Sequence, residues 1–307
     1  MNNLIVLSSN DNVGVSQFII PEKTKIEDRE ISTIDPIPFG HKVCLKSINK
    51  GDPIIKYDQI IGFASKNIKA GEHVHSHNLE FKEFKRDFKV TNKKNIIEEK
   101  ADTFFNGIER DSGDIATRNY IGIVSTVNCS ATVTKMIVEK IKYSNILKDY
   151  PNIDGIVPIT HSTGCGMNTI SEGMQMFQRT IDGFKNHPNF SHVFVIGLGC
   201  ECAQVSLFEE SLKKHNRIHF LTIQDEGGTK KIVDKVLSQI NNLLNEANDI
   251  KRTPQSVAHL TLALQCGGSD GYSGITANPA LGIAADLLVK KGGSSILSET
   301  PEIYGAE

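Results

Sequence analysis

The sequence predicts a small N-terminal β domain followed by an α/β domain with a mostly parallel sheet. The chain has 307 residues, which allows two domains of the usual ~100–200 residues. The first eighty residues contain short apolar segments divided by glycine and proline, a pattern typical of a small barrel-like β domain. From Tyr120 onward, continuous apolar strands alternate with amphipathic helices, which is typical of βαβ units.

The β domain is expected over residues 1–82, with strands at 12–20, 42–48, 52–61 and 73–81. Residues 83–118 are charged and poor in long apolar runs. They are interpreted as a linker in which one strand or short helix can form.

The α/β domain is expected over 119–307. Its strands are predicted at 120–127, 155–160, 192–199, 218–224, 259–265 and 294–299. Its helices are predicted near 132–147, 171–184, 206–215, 229–247 and 279–290. All six strands run at their carboxyl ends into small or reactive residues, and ligands of open α/β sheets bind at that edge. The sequence therefore predicts one site to which six strands contribute.

Composition narrows the function classes. The formal net charge is -2, and no basic excess is present to neutralise phosphates, which argues against nucleic-acid binding. No apolar run approaches the ~18–20 residues of a membrane span, and the N-terminus lacks the pattern of a signal peptide. The expected compartment is the cytoplasm, where six cysteines do not indicate a disulfide framework.

Three histidines alternate in the segment His73-Val-His75-Ser-His77. On a strand, this period of two would project all three imidazoles from one face. Imidazole suits iron, manganese and zinc, so the segment predicts a metal or substrate site. The alternative is the polar solvent face of an edge strand.

Two loops that follow predicted strands carry thiols. The segment from His161 and Ser162 to Cys165 is rich in glycine and opens toward a helix, so its N–H groups could bind a carboxylate. The alternative is a tight turn with an incidental thiol. The second loop contains Cys200 and Cys202, whose spacing differs from that of zinc ribbons and redox motifs.

The glycine-rich segment 266–278 could wrap a polyhydroxylated anion. It lacks the order of a dinucleotide fingerprint or a P-loop, so no nucleotide is expected. Lys56 could pair with a substrate carboxylate, although a solvated surface lysine is the alternative. The substrate-binding candidates are Lys56, Ser162, Gly267, Gly268, Ser269, Asp270, Thr276 and Asn278.

A thiolate centre is a further hypothesis. Cys165, Cys200 and Cys266 follow equivalent predicted strands, and thiolates favour iron–sulfur clusters or zinc. Three ligands would leave one coordination position open.

Together, the segments GDIATRNYIGIVSTVNCSATVT, THSTGCGM, GLGCE, IQDEGGT, QCGGSDGYSGITANPALG and SETPEIYGAE resemble the altronate and galactarate dehydratase family. The segment KYDQIIGFASKNIKAGEHVHSHN resembles the SAF-type β domain, a β-clip, fused ahead of it. The resemblance covers nearly the whole chain.

The resemblance implies loss of water from a sugar acid, altronate first and galactarate next, to give a 2-keto-3-deoxy acid. It also implies a divalent metal, which is iron(II) first, with manganese(II) as its substitute. Related sulfolactate sulfo-lyases expel sulfite, so the motifs do not fix the leaving group. The implied catalytic residues are His73, His75, His77 and His161, and the implied metal ligands are His75, His77, Cys165, Cys200 and Cys266.

Members of the family with this fusion are longer, so a further C-terminal domain is expected beyond Glu307. The expected partners are a small sugar acid and either further copies of the chain or a protein that supplies the missing domain. The alternative function is a non-catalytic carboxylate-binding fragment or subunit.

Overall fold

The computed structural model describes residues 4–26, 29–84, 102–209, 217–268 and 270–300. The chain divides into two compact units. One contains residues 1–100 together with 260–307, and the other contains residues 101–259.

The N-terminal part of the first unit is built from β strands, as predicted. They are β1 (Leu4–Ile5), β2 (Val13–Ser16), β3 (Lys42–Cys44), β4 (Pro53–Lys56), β5 (Gln59–Ala64), β6 (His73–Val74) and β7 (Leu79–Glu80). They form two antiparallel sheets, with orders β1-β2-β3-β6 and β4-β5-β7. Alternate residues of these strands, such as Val13, Ile54 and Val74, are buried in an apolar core.

The predicted strand over 73–81 is wrong, because β6 ends at Val74 and β7 begins at Leu79. Buried Asn78 holds a turn between them. Its Nδ2 donates to the carbonyl of His73 at 2.9 Å, and its Oδ1 accepts from the N–H of His75 at 3.0 Å. Asparagine favours turns because its side chain bonds nearby backbone groups in this way. The three histidines therefore do not alternate along one strand.

The predicted strand over 52–61 is likewise two strands. β4 and β5 form a hairpin whose turn residues Tyr57 and Asp58 both have positive φ.

The second unit contains the α/β part. Its elements are β8 (Phe104–Glu109), β9 (Ile115–Ala116), β10 (Tyr120–Ser125), α1 (Asn128–Ser144), β11 (Gly155–Ile159), α2 (Glu172–Asn186), β12 (Phe190–Gly197), α3 (Ser206–Glu209), β13 (Ile218–Thr222), α4 (Thr229–Asn248) and β14 (Thr253–Ser256). The central sheet is parallel and has the order β11-β10-β12-β13.

Helices cover both faces of this sheet. One apolar core joins the sheet to α1 and α4, and another joins it to α2 and α3. All eight residues of β12 are buried, which explains the continuous apolar run over residues 193–196. The chain leaves β10 toward one edge of the sheet and returns on its other side as β12. The carboxyl ends of β10 and β12 thus form the switch point at which such sheets bind ligands.

The predicted linker overlaps this second unit. β8 pairs with β9 and β14 in an antiparallel sheet, so the unit begins well before the predicted boundary at 119. Residues 85–101, the centre of the predicted linker, lie outside the described residues.

The remaining elements belong to the first unit. They are β15 (Thr261–Leu264), α5 (Ala277–Lys290) and β16 (Ser294–Leu297), and β15 pairs with β16 in a parallel two-stranded sheet. This corrects the expectation of one α/β domain over 119–307. The prediction that six strands contribute to one site is also wrong. Four of those strands share one sheet, and the other two pair with each other. Among the described residues, no helix is both long and apolar enough to cross a membrane.

Candidate functional site

Four histidines cluster in the first unit. His41, just before β3, lies beside His73, because β3 and β6 are neighbouring antiparallel strands. His41 Nδ1 and His73 Nε2 are 2.9 Å apart, at hydrogen-bonding distance. The turn after β6 adds His75, stacked on His41 with ring centroids 5.0 Å apart, and His77, whose ring lies 5.4 Å from that of His73. The structure thus brings the predicted histidines together through a turn.

The cluster keeps two imidazoles neutral. Burial, then the neighbouring His41, His77 and His75, lower the pKa of His73 to about 4. Burial and the nearby positive groups also lower the pKa of His41. A neutral imidazole has a lone pair for a proton or a metal ion.

A cavity of about 400 Å³ adjoins the cluster, within the size range of small-molecule sites. Lys42 and Lys56 line it together with His41 and His75. Burial lowers the pKa of both lysines, and the charge of Lys56 lowers that of Lys42 further. A carboxylate bound between them would relieve this repulsion, so the cavity favours an anion.

The segment around Tyr272 closes one side of the cavity. The Tyr272 hydroxyl donates to the carbonyl of Ser16 at 2.8 Å, and the Tyr57 hydroxyl donates to the carbonyl of Gly271 at 3.1 Å. A Cβ on Gly271 would lie 2.7 Å from the carbonyl oxygen of Gly40. Glycine at 271 therefore permits the close approach of these two backbone segments.

The predicted residues of the 266–278 loop have different places. Asp270 lines the cavity, but its Oδ1 accepts from the N–H groups of Tyr272 and Ser273, at 2.7 and 2.8 Å, which makes it a turn residue. Thr276 Oγ1 donates to the carbonyl of Tyr272 at 2.9 Å. Neither Thr276 nor Asn278, in the first turn of α5, lines the cavity. The remaining loop residues are Gly267 and Gly268, which are exposed, and Ser269, which lies outside the described residues.

Three cysteines lie at the carboxyl edge of the second unit's sheet. Cys129 is in the first turn of α1, Cys165 follows β11 and Cys200 follows β12, and all three are exposed. The Cys129 thiol donates to Oδ1 of the neighbouring Asn128 at 3.6 Å. Partial desolvation, followed by Cys165, Cys200 and Glu201, raises the pKa of Cys129. Within the second unit, the thiols that act on Cys129 are therefore those of Cys165 and Cys200, whereas the predicted ligand Cys266 belongs to the first unit.

His161, also in the second unit, has both ring nitrogens engaged. Its Nδ1 accepts from the N–H of Thr163 at 3.3 Å, so its Nε2 donates to the carbonyl of Ser125 at 2.8 Å. Its ring meets Phe177 edge-on, with centroids 4.7 Å apart. This arrangement assigns His161 to holding the loop, and its neighbour Ser162 is exposed.

The imidazole donors fit a divalent metal in their chemistry, because neutral imidazole is the form that coordinates. Their arrangement in this structure is not that of metal ligands, because His41 and His73 hydrogen-bond to each other. Across the ranges that the structure describes, no three His, Cys, Asp or Glu side chains form a ready ligand set for one ion.

Sequence reasoning missed His41, Lys42, Tyr272 and the place of Cys129 in the thiol group. His41 and Lys42 join the site because β3 pairs with β6, and pairing between distant strands leaves no local signal. Cys129 comes a few residues after its strand, as Cys165 and Cys200 do after theirs, so the strand-end pattern could have identified it.

Three family models match the chain. Residues 2–82 match the altronate/galactarate dehydratase SAF domain, and residues 107–248 match the second domain of D-galactarate dehydratase/altronate hydrolase. Residues 257–307 match the C-terminal model of D-galactarate/altronate dehydratase.

Curated relatives give the same family. The chain is 33% identical to the altronate dehydratase of Escherichia coli (strain K12), over 97% of this chain and 60% of that protein. It is 32% identical to the altronate dehydratase of Bacillus subtilis (strain 168), over 100% of this chain and 62% of that protein. The galactarate dehydratase (L-threo-forming) of E. coli is 33% identical, over 90% of this chain and 55% of that protein. The chain thus spans about three-fifths of the length of these relatives.

Proposed function

We propose that this chain, which belongs to the altronate and galactarate dehydratase family, removes water from a sugar acid. Altronate is the first candidate substrate and galactarate the second, because relatives bear both names. The observation that carries the proposal is the cavity of the first unit, which combines two half-buried lysines with the neutral imidazole of His41.

The chemistry explains why these groups are needed together. Removing the proton at C2, next to the carboxylate, places negative charge on that carboxylate as an enediolate. The hydroxyl on C3 then leaves as water after it gains a proton. The resulting enol takes up a proton at C3 and becomes the 2-keto-3-deoxy acid, so the reaction is redox-neutral and needs no nucleotide.

Lys42 and Lys56 would hold the substrate carboxylate. Two ammonium groups that are already partly buried stabilise the enediolate more than the ground state, because its charge is larger. They also fix the C2 proton in one direction within the cavity, which lowers the entropic part of the barrier.

The histidines supply the proton transfers. His41, which is kept neutral, lines the cavity and would accept the C2 proton, and His75, which is stacked on it, is left for the metal ion described below. The protonated His41 would then return the same proton to the departing hydroxyl, so the two steps together leave the imidazole unchanged. Tyr272 closes the cavity and restricts the access of water.

A divalent ion, iron(II) first and manganese(II) in its place, is part of the proposal. His75 and His77, with His41 beside them, would hold it. When bound, the ion would supply Lewis acidity at an oxygen of the substrate. Assembly of the chain into a homo-oligomer, or with a partner chain that supplies the missing domain, stays a prediction.

The direct test is anaerobic incubation of the chain with altronate or galactarate and iron(II), followed by detection of the keto acid. Lys56→Met should raise KM for the productive substrate about tenfold or more, since a charge-assisted bond contributes about 1.5–3 kcal/mol. The matched control is Lys50→Met, at an exposed lysine outside the cavity lining.

Two results would contradict the proposal. One is tight binding of either acid without turnover, which would make the chain a carboxylate-binding subunit. The other is equal kinetics of the Lys56 and Lys50 variants, which would place the substrate elsewhere.

A further inference from the structure

The second unit has a cavity of about 720 Å³ at the amino edge of its parallel sheet. Ser191 and His192 lie near the start of β12, and Arg217 directly precedes β13. Arg110, which follows β8, and the end of α4 complete the wall. Because such sheets bind their principal ligands at the carboxyl edge, this cavity is a separate feature of the unit.

Arg110 and Arg217 supply two half-buried guanidinium groups to the cavity wall. Nε of Arg110 donates to the carbonyl of Pro188 at 2.8 Å, and Nη1 of Arg217 donates to the carbonyl of Phe190 at 2.8 Å. A guanidinium group has five N–H donors. Nη1 of Arg110 and Nε of Arg217 take part in none of the hydrogen bonds among the described residues. The two groups are therefore held in place and still have donors for a ligand.

These two guanidinium groups differ from others in the same unit in having no carboxylate partner. Arg118 and Arg252 both pair with Asp154, at 3.7 and 3.2 Å. Within the part of the chain that the structure describes, no carboxylate oxygen lies within 4.0 Å of either guanidinium group on the cavity wall. Burial, then the charges of Arg217 and Arg252, lower the pKa of Arg110 to about 10. Half-buried cations that repel each other favour an anion beside them.

Two buried residues lie on the same wall. Burial, then His219, lower the pKa of His192, and the charges of Arg110 and Arg217 act in the same direction. The imidazole is therefore neutral, and its buried Nδ1 has no hydrogen-bond partner among the described residues. Ser191 adds a hydroxyl group. The buried and half-buried residues of the lining thus include hydrogen-bonding and cationic groups and no acid.

The acidic residues of the lining are all exposed. They are Glu109, Asp111, Glu246 and Asp249, and exposed Lys251 lies with them. Water and salt screen charges at such positions, so these carboxylates do not neutralise the half-buried guanidinium groups. They do oppose a second negative charge on a ligand that extends toward solvent. The lining therefore favours a ligand with one anionic end.

We propose that this cavity binds a small organic molecule through a single oxyanion, a carboxylate or a phosphate, held by Arg110 and Arg217. The planar guanidinium group suits both anions, because it can donate to two of their oxygens at once. The cavity volume is typical of sites for organic ligands. The site lies wholly within the second unit, and it does not depend on the dehydration proposed above.

The experiment measures binding of three probes to the full chain by calorimetry at constant ionic strength. Inorganic phosphate and glycerate each have one anionic group, and citrate has three. The variants are Arg217→Met, at the anion, and Glu246→Gln, at an exposed position of the lining. The matched controls are Arg179→Met and Glu139→Gln, exposed on α2 and α1 and outside the lining. Circular dichroism checks the folding of each variant, and the exposed Glu246 variant keeps the test decisive if Arg217→Met fails to fold.

We expect phosphate or glycerate to bind more tightly than citrate. Arg217→Met should weaken this binding at least tenfold, because a charge-assisted bond is lost. Glu246→Gln should strengthen it about twofold to threefold, because an exposed opposing charge is removed. Both controls should match the wild type. Hydrogen exchange should show protection by the bound probe in peptides that contain residues 108–112 and 191–192. The tighter of the two probes identifies the anion as a phosphate or a carboxylate.

Three results would overturn the proposal. The first is no binding of phosphate or glycerate at millimolar concentrations. The second is equal affinity in Arg217→Met and Arg179→Met when both are folded. The third is binding that Lys56→Met abolishes and Glu246→Gln leaves unchanged, which would place the anion in the cavity of the first unit.

Discussion

Replacement of Glu201 by glutamine changes one atom of a buried group on which the carboxyl edge of the sheet depends. The carboxylate accepts three hydrogen bonds, from Leu198 and Gly199 N–H and from Thr126 Oγ1. Glutamine has nearly the same shape but only one oxygen. Its NH₂ group must face either the Leu198 N–H or the Gly199 N–H, so two donors meet and one bond is lost.

The loss in the free energy of unfolding follows from these contacts. A hydrogen bond to a charged group contributes about 1.5–3 kcal/mol, and the abandoned buried N–H adds a desolvation penalty. We expect Glu201→Gln to lower the free energy of unfolding of the second unit by about 2–4 kcal/mol. With a urea m-value of about 2 kcal/mol/M, the middle of the usual range, the unfolding midpoint should fall by about 1–2 M.

The assay is urea unfolding followed by circular dichroism, with hydrogen exchange read by mass spectrometry to locate the loss. Peptides from β12 and the loop after it should lose protection. Glu139→Gln, at an exposed position on α1, is the matched control and should change stability by less than about 0.5 kcal/mol. Equal midpoints for the two variants would refute the assignment of Glu201 as the organiser of this loop.

Three further predictions follow from the same geometry. Asn78→Ala removes both bonds that hold the turn after β6, and should lower the stability of the first unit by about 1–3 kcal/mol in urea unfolding; an unchanged midpoint would contradict this. Gly271→Ala places a Cβ against the carbonyl of Gly40, and should weaken altronate binding at least tenfold in calorimetry while α4 keeps its protection in hydrogen exchange. Burial, then His219, lower the pKa of His192, so below pH 6.5 the unfolded chain binds a proton that the folded chain does not, and stability should fall from pH 7.5 to pH 5.5. His192→Phe should reduce that slope, and an equal slope in both proteins would exclude His192 as its source.

The second unit shows what sequence patterns predict well. Continuous apolar runs located β10 to β13, because strands of a parallel sheet are buried on both faces. Amphipathic spacing located α1, α2 and α4, because each of these helices buries one face against the sheet. For most of these elements, the predicted and the observed boundaries differ by a few residues. The predicted edge of reactive residues is present for the four strands that share this sheet.

The first unit shows where such patterns fail. The spacing of His73, His75 and His77 matches the two-residue period of a strand. The hydrogen bonds of the Asn78 side chain favour a turn instead, and they override that period. His41 and Tyr272 reach the cavity through contacts between segments far apart in sequence, which residue patterns do not record. The residue types of the candidate site were therefore predictable from the sequence, whereas the membership of its histidine and cysteine groups required the fold.

The most direct test of the account is a proton NMR record of the chain with altronate and iron(II) in D₂O under anaerobic conditions. We predict that the C2 proton signal of altronate disappears as a 2-keto-3-deoxy acid appears with deuterium at C3, and that Lys42→Met slows both changes together. An unchanged altronate spectrum, or a keto acid formed at the wild-type rate by Lys42→Met, would contradict dehydration in the cavity between Lys42, Lys56 and His75.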